Sequence, residues 1–569
     1  MSTSIRLWLQ DPMTRIFPDT SAPGGRAGGF ELSACRGEVE CFQIGIRTEG
    51  ISPNYLKAEA IELKGRQGAT IPTENVDILY PEFVPVKWAT QGQSPDDIER
   101  TPPAFFPDPL MPGWEMDVAG PAPPPARSIW VRIRVPRDAR PGTYHGKVAV
   151  RIGRRDFKAE NQAKGIVFEQ TRTVSFRLRV WSFEISERTG LLTTNWLFPD
   201  QYAQWYGLEM WSPKYWKLME RVADNMAAHR QNVILTPFFG GDQAEEQLVG
   251  VQRRGQRYTF DFRRLDRWIR IFLKRHFELI EGQHVASASR QPVSFWEAGP
   301  GGRAKRAQLE DAADPRFESF LTQFFRALWG YLDDRKWKNR FIQHISDEPN
   351  PTQYDRFRRL AGVVREAAPG IRLLDALAHS EFADLTDHPV PLESQYDRVV
   401  NESRVPAEKI WVYYCCGPGG KWPNRFIEYH LIRVRIIAWI CFQKGIPGFL
   451  HWGYNWWKGI RKGCHNPWDD ATTHRHPGGD GYMVYPPRDD RMSRDEVIDS
   501  IRWEIFREAL EDYEYLAMTR ERAEDGHPEA KAILRDVEKK VVPDWTTYTR
   551  DWKSMYAIRE RMGNLLSGK

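Results

Sequence analysis

From about residue 5 to residue 187, apolar and polar side chains alternate in short runs. In 37–47 apolar and polar residues alternate after a turn, as in a half-buried strand. The stretch 128–136 repeats the alternation, a proline–glycine turn at 140–144 leads into a strand over 146–152, and 173–181 completes the set. Short alternating strands joined by turns predict an antiparallel β-sandwich. The proline-rich stretch 100–127 predicts a long irregular loop, because proline cannot donate to a sheet ladder.

Beyond residue 187 the rhythm becomes strand, then helix. Strand-like apolar runs occur at 191–196, 232–237, 277–282, 341–348, 371–377, 396–400, 409–414 and 448–453. Apolar residues spaced by three and four predict helices over 214–228, 265–276, 317–332, 352–367 and 426–444. Eight strands with helices between most of them predict a (β/α)8 barrel of the TIM type. A loop over 458–490 follows, and amphipathic stretches at 492–525 and 528–540 predict helices packed on the outside of the barrel. The expected division is a β-sandwich domain over 1–187, a catalytic barrel over 188–490 and a C-terminal helical region over 491–569.

Composition changes this picture in few places. The 81 basic and 76 acidic residues are spread along the chain, which argues against nucleic acid, since that needs a concentrated basic face. No apolar run has the length needed to span a bilayer. The N-terminus lacks a basic-then-apolar leader, so the expectation is either a cytoplasmic protein or one whose leader has been removed. Six cysteines without zinc spacing make no disulfide framework; Cys35 and Cys41 can face each other across a hairpin but are expected as buried free thiols. The unusual feature is aromatic content, with 23 Trp, 20 Tyr and 29 Phe, because a flat indole face stacks on sugars as well as filling cores. Nothing in the pattern sets an oligomeric state.

The candidate chemistry centres on Arg340-Phe341-Ile342-Gln343-His344-Ile345-Ser346-Asp347-Glu348-Pro349. Pro349 ends the strand at about Glu348, which leaves Asp347 and Glu348 at the end of strand four, on the face where barrels carry catalysis. Asn350 is the better cap for the helix that follows, so the two acids are not needed for capping. The other strand ends add candidate substrate-binding residues: Asn195, Trp196, Glu281, His344, Asp375, Tyr413, Tyr414, Trp452, Tyr454, Asn455 and Trp456. Carboxylates, Tyr and Trp converging on one mouth describe a carbohydrate pocket. Neighbouring residues on a strand point to opposite faces, so two adjacent acids do not flank one bond as an ordinary retaining pair does. They suit substrate-assisted hydrolysis instead: a 2-acetamido carbonyl attacks the anomeric carbon, one carboxylate holds the acetamide N–H and the other protonates the leaving oxygen. That chemistry needs no cofactor. His474 and His476 with Asp469, Asp470 and Asp480 have metal-ligand chemistry but lie in a polar loop, and no metal is expected there. The segment 417–421 lacks phosphate-loop spacing, and 253–257 reads as a solvated basic turn.

The string His344-Ile345-Ser346-Asp347-Glu348-Pro349 resembles the signature of the barrel proteins grouped as domain of unknown function 4091, which are related to glycoside hydrolase family 123. The runs 448–457, 479–486, 500–504 and 507–516 are similar to further motifs of that group, in the same order, and 36–43 with 141–144 resemble its sandwich domain. The resemblance spans nearly the whole chain. It implies an exo-acting, retaining β-N-acetylgalactosaminidase acting on a glycan or glycoside, with Asp347 orienting the acetamide and Glu348 as acid/base. A glycosidase for another amino sugar or for a plain hexoside, and a non-catalytic carbohydrate-binding protein, remain the alternatives.

Overall fold

The computed structural model describes residues 4–24, 29–49, 55–112, 116–117, 125–155, 166–240, 247–285, 293–298, 303–309, 315–457, 466–472, 477–488 and 496–568. The N-terminal region forms two sheets. One runs in the order Ser4–Gln10, Val39–Glu49, Ala126–Arg134, Val76–Val86, Ala104–Pro112, Ile498–Ser500, Val484–Tyr485, all antiparallel. The other runs Glu31–Arg36, Ile166–Glu184, Gly142–Arg155, Tyr55–Lys64, Thr70–Ile71, and its first pair is parallel. The alternation read from the sequence puts Phe42 of the first sheet against Phe176 of the second, with ring centroids 4.7 Å apart. The strand expected over 37–47 is Val39–Glu49, and that expected over 128–136 is Ala126–Arg134.

The expectation of a loop over 100–127 fails in part, because Ala104–Pro112 is an inner strand of the first sheet. Pro107 and Pro109 are two residues apart, so both missing donors fall on one side of the strand. A register shift between Pro81 and Phe83 on the neighbouring strand accommodates the irregular ladder.

Eight parallel strands follow: Leu192–Asn195, Val233–Thr236, Leu279–Gly282, Phe341–Gln343, Arg372–Leu377, His388–Pro391, Val412–Tyr413 and Gly448–His451. Strands two to six form one sheet in sequence order, and strands seven, eight and one form another in which strand eight lies between one and seven. Every strand contributes at least one apolar residue to a single inner cluster, from Leu192 through Leu235, Ile342, Ala376 and Tyr413 to Leu450. The helices predicted between strands are present, among them Pro213–Ala228, Arg263–Leu273, Pro315–Asp334, Tyr354–Ala367 and Ile432–Lys444.

Strand six is the misplaced element. The stretch 396–400 is helical, as Tyr396–Glu402, and the strand is His388–Pro391. Valines 399 and 400 carry strand propensity, but Tyr396 and Val399, three apart, bury one helical face; tertiary packing overrides propensity. Two prolines disguise the true strand.

At the C-terminus the helices Ile501–Glu524, Pro528–Asp536 and Trp552–Leu566 are present. The first is not a surface helix, since most of its length is buried, charges included. Those charges are paired. Arg435 of helix Ile432–Lys444 meets Glu508 at 2.6 Å and Asp512 at 2.7 Å, and Arg559 bridges Asp512 to Glu38 of the N-terminal region. A charged helix is buried here because it stands between the N-terminal sheets and the parallel strands. Cys35 and Cys41 are buried and unbridged. Among the described residues no helix is long and apolar enough to cross a membrane.

Candidate active site

Strand four stops at Gln343, earlier than Pro349 alone requires. The Asp375 carboxylate, from strand five, accepts the backbone N–H groups of Ile345 (2.9 Å) and Ser346 (3.3 Å) and draws the chain off the ladder. Two residues on, the Glu348 N–H reaches the Ala376 carbonyl at 3.1 Å, and Glu348 adopts φ +39°. A positive φ on a non-glycine residue costs on the order of 1 kcal/mol and persists only where the surroundings impose it. Here the hydrogen bond to the Ala376 carbonyl of strand five holds it. Asp347 and Glu348 are consequently exposed on a turn whose preceding residues, His344 to Ser346, are all buried. Asn350 caps the next helical turn through Thr352 N–H and forms a capping box with Gln353.

Beneath the turn lies a charged row. His344 Nδ1 donates to Asp375 Oδ1 at 3.0 Å and Nε2 donates to Glu281 Oε1 at 2.5 Å, with all three side chains inaccessible. Both acceptors are carboxylates, so both nitrogens carry protons and the ring is an imidazolium. Burial opposes that charge, but the two carboxylates outweigh it and hold His344 at about 9. Burial pushes Asp375 up to about 6, against the pull of His344 and two backbone donors. Glu281 is further bound by the Thr194 hydroxyl (2.7 Å) and the Trp196 indole (2.9 Å). His284, three residues beyond Glu281, packs its ring 4.4 Å from that of His344. Burial and the adjacent imidazolium hold it well below the usual histidine range, hence neutral. Its Nε2 stands 3.9 Å from oxygens of both Asp347 and Asp375.

Glu348 accepts from the Tyr413 hydroxyl at the end of strand seven. Burial, and then the charge of Glu348, raise Tyr413 far above the ordinary phenol value, so it remains a donor. Aromatic side chains border the inner cluster. Trp452 and Trp456, both half-buried, meet edge to face at 5.7 Å. The Trp452 indole donates to Asp480 at 3.0 Å, and Asp480 also accepts from His451 Nε2. Gly453, between these tryptophans, lies so near the Gly481 carbonyl that a Cβ would sit 2.2 Å from its oxygen.

The structure therefore brings together Trp196, Glu281, His344, Asp347, Glu348, Asp375, Tyr413, Trp452 and Trp456. Glu281, His344 and Asp375 are sealed beneath the turn and have the geometry of supports, not of groups offered to a ligand. Four other candidates sit elsewhere. Asn195 is held by Arg425 (2.6 Å) and Gln231 (3.1 Å), and Tyr414 is packed against Phe449 and His451 on the outer side of strand seven. Tyr454 bonds Asn225 and packs on Trp503, and Asn455 clamps the backbone of Phe198. Adjacent strand residues alternate between faces, so of Tyr413 and Tyr414 only one can point inward. His284 carried no sequence signal, since it lies past the strand in an unpatterned loop. His474 and His476 lie outside the described residues, Asp469 and Asp470 bond within their own turn, and Asp480 is buried.

The imidazolium predicts a pH dependence of stability. His344 is raised on folding, so its contribution is full below about pH 6.5 and is lost as pH rises through about 9, on the order of 3 kcal/mol. Urea midpoints measured from pH 6 to 10 are expected to fall on the alkaline side, and the His344→Gln variant should lack that component. Parallel curves for the two proteins would contradict the assignment.

Residues 196–519 match the glycoside hydrolase 123 catalytic domain, and residues 26–152 match the glycoside hydrolase 123 N-terminal domain. No curated protein matches the sequence. Among solved structures, a family 123 glycoside hydrolase from Clostridium perfringens, described for glycolipid glycan hydrolysis, is similar over 99% of this chain and 98% of its own, at 14% identity and TM-score 0.74. A putative β-galactosidase from Bacteroides fragilis aligns over 83% of this chain and 58% of its own, at 9% identity and TM-score 0.31. With the catalytic model covering more than half of its length, the chain belongs to glycoside hydrolase family 123 and is a glycoside hydrolase.

Proposed function

We propose that the enzyme removes terminal β-linked N-acetylgalactosamine from a glycan by a retaining, substrate-assisted route, working from one end of the chain. The observation that carries this reading is the exposure of the acidic pair. Among the described carboxylates at the ends of the parallel strands, Glu281, Asp375 and Glu393 are buried, whereas Asp347 and Glu348 are exposed side by side. Among the described residues no exposed carboxylate at the other strand ends is available as a nucleophile, and a 2-acetamido group supplies one from the substrate.

In the first step the acetamide carbonyl oxygen attacks the anomeric carbon while Glu348 gives its proton to the departing glycosidic oxygen. Asp347 accepts the acetamide N–H, which sharpens the nucleophile and stabilises the positive charge of the cyclic oxazolinium ion. In the second step Glu348, now a carboxylate, takes a proton from the water that opens this ring at the anomeric carbon, so configuration is retained. Tyr413 orients Glu348 by donating to one oxygen and leaves the other for the proton. Trp452 and Trp456 offer faces for the pyranose ring.

The scaffold for this chemistry is, in our reading, a (β/α)8 barrel over 188–490, flanked by the β-sandwich of 1–187 and the helices of 491–569. Two contacts support closure where the two parallel sheets meet: Trp411 N–H bonds the Pro389 carbonyl at 3.0 Å, and the Thr193 N–H bonds the Asn232 side chain at 2.8 Å. The C. perfringens enzyme's link to glycolipid glycans supports a glycan substrate.

A panel of p-nitrophenyl β-glycosides tests the substrate. The 2-acetamido-galactoside is expected to exceed the plain galactoside by roughly 10³-fold or more in kcat/KM, since only the former carries its own nucleophile. Comparable rates on plain hexosides would overturn the substrate-assisted reading, and preference for the gluco epimer would replace the sugar while keeping the mechanism.

A further inference from the structure

Immediately after Tyr413 and Tyr414, the chain carries Cys415 and Cys416, adjacent in sequence and neither bridged. Their sulfurs are 3.7 Å apart. Cys416 is exposed, whereas Cys415 is half-buried and packs on the rim of the inner cluster that also borders Trp452 and Trp456. The backbone between them is pinned: Cys415 N–H donates to the Gly417 carbonyl and its own carbonyl accepts from Asn424, both at 2.9 Å. Two residues before this pin, Tyr413 holds Glu348.

We propose that Cys415 and Cys416 are a modification site, closing a reversible vicinal disulfide by exchange with a small disulfide and thereby lowering hydrolysis. The exposed Cys416 thiolate attacks the small disulfide and releases one thiol, leaving a mixed disulfide on Cys416. Cys415 then loses its proton, its sulfur attacks Cys416 Sγ, and the second thiol departs. Two protein thiols are oxidised and one small disulfide is reduced to two thiols. The order follows from access, and the Cys416 sulfur, burial and the carboxylates of Asp480 and Glu348 all raise the Cys415 thiol, which makes it the resolving partner.

The ring would be labile. Consecutive Cα atoms are about 3.8 Å apart, while unstrained disulfides want roughly 4.4–6.8 Å. Closing an eight-membered ring thus requires the 415–416 peptide to turn, against the Gly417 and Asn424 bonds. Strained, accessible disulfides are easily reduced and belong to the switching class. The strand end that turns is the one that carries Tyr413, so the acid at Glu348 loses its orienting donor. This last link rests on the role given to Glu348 above; formation of the ring does not.

The test uses the full-length enzyme equilibrated in glutathione buffers of graded redox ratio, read by intact mass, peptide mapping and hydrolysis of an alkyl 2-acetamido-galactoside, whose leaving group needs the acid. The expected result is loss of two hydrogens, mapped to one peptide holding both residues, with kcat falling about tenfold or more at the same midpoint and recovering with dithiothreitol. The Cys415→Ser/Cys416→Ser variant should keep the reduced rate and lose the response. If that variant fails to fold, the wild-type titration still decides. A persistent glutathione adduct without ring closure would overturn the site. Ring closure with unchanged kcat would overturn the switch, while full activity of Glu348→Gln with a closing ring would place the fault in the catalytic reading alone.

Discussion

Replacing Glu348 with glutamine is expected to lower turnover of a natural glycan by about 10²–10⁴-fold without loss of stability. The size follows from what a general acid supplies: a proton to an alkoxide-like leaving group that cannot depart without it. Structure is expected to survive because Glu348 is exposed and Gln keeps an oxygen for the Tyr413 hydroxyl. The deficit should depend on the leaving group. Nitrophenolate departs nearly unaided, so the variant is expected to cleave the aryl glycoside far better, relative to wild type, than an alkyl or glycan substrate. Asp347→Asn should behave differently, slowing every leaving group by a similar factor, because the acetamide is used whatever departs. Equal losses for aryl and alkyl substrates in the Glu348 variant would remove it from the acid's role, and full activity in either variant would end the assignment of the pair.

The second large effect is structural. Arg502 is inaccessible, as is Asp108, and the two meet at 3.0 Å. The guanidinium also donates to the carbonyls of Arg425, Gly479 and Tyr482, while Asp108 accepts from Tyr485 as well. One side chain thus ties the strand Ala104–Pro112, the helix Ile501–Glu524 and the loop that backs Trp452. Arg502→Met is expected to cost about 3–5 kcal/mol, because it strands a buried carboxylate and several carbonyls. Urea unfolding measures this, and a loss below about 1 kcal/mol would mean that water replaces the guanidinium. Asp108→Asn added to that variant should recover part of the loss, since the unpaired charge is then gone.

Seven of the eight parallel strands were visible as apolar runs, because buried parallel strands must be continuously apolar and proline or glycine must end them. The sixth was not, since two of its four residues are prolines and the better-looking run beside it coils into a helix. The strand Ala104–Pro112 was hidden in the same way. The helix Ile501–Glu524 read as a surface helix because its charges are numerous, and only packing reveals that they pair with arginines from distant segments.

The acidic pair and its position beyond strand four are properties of the sequence by itself, because a short apolar run closed by Pro349 needs nothing else to be recognised. Which of the polar residues are sealed and which stay exposed was decided by tertiary structure alone. Glu281, His344 and Asp375 are as polar as Asp347 and Glu348 and lie at equivalent strand ends. Their burial, and the proton that two carboxylates force onto one imidazole, arise only when three strands converge. Spacing along a chain records which face a residue takes, whereas exposure and charge state depend on what the other strands bring to meet it.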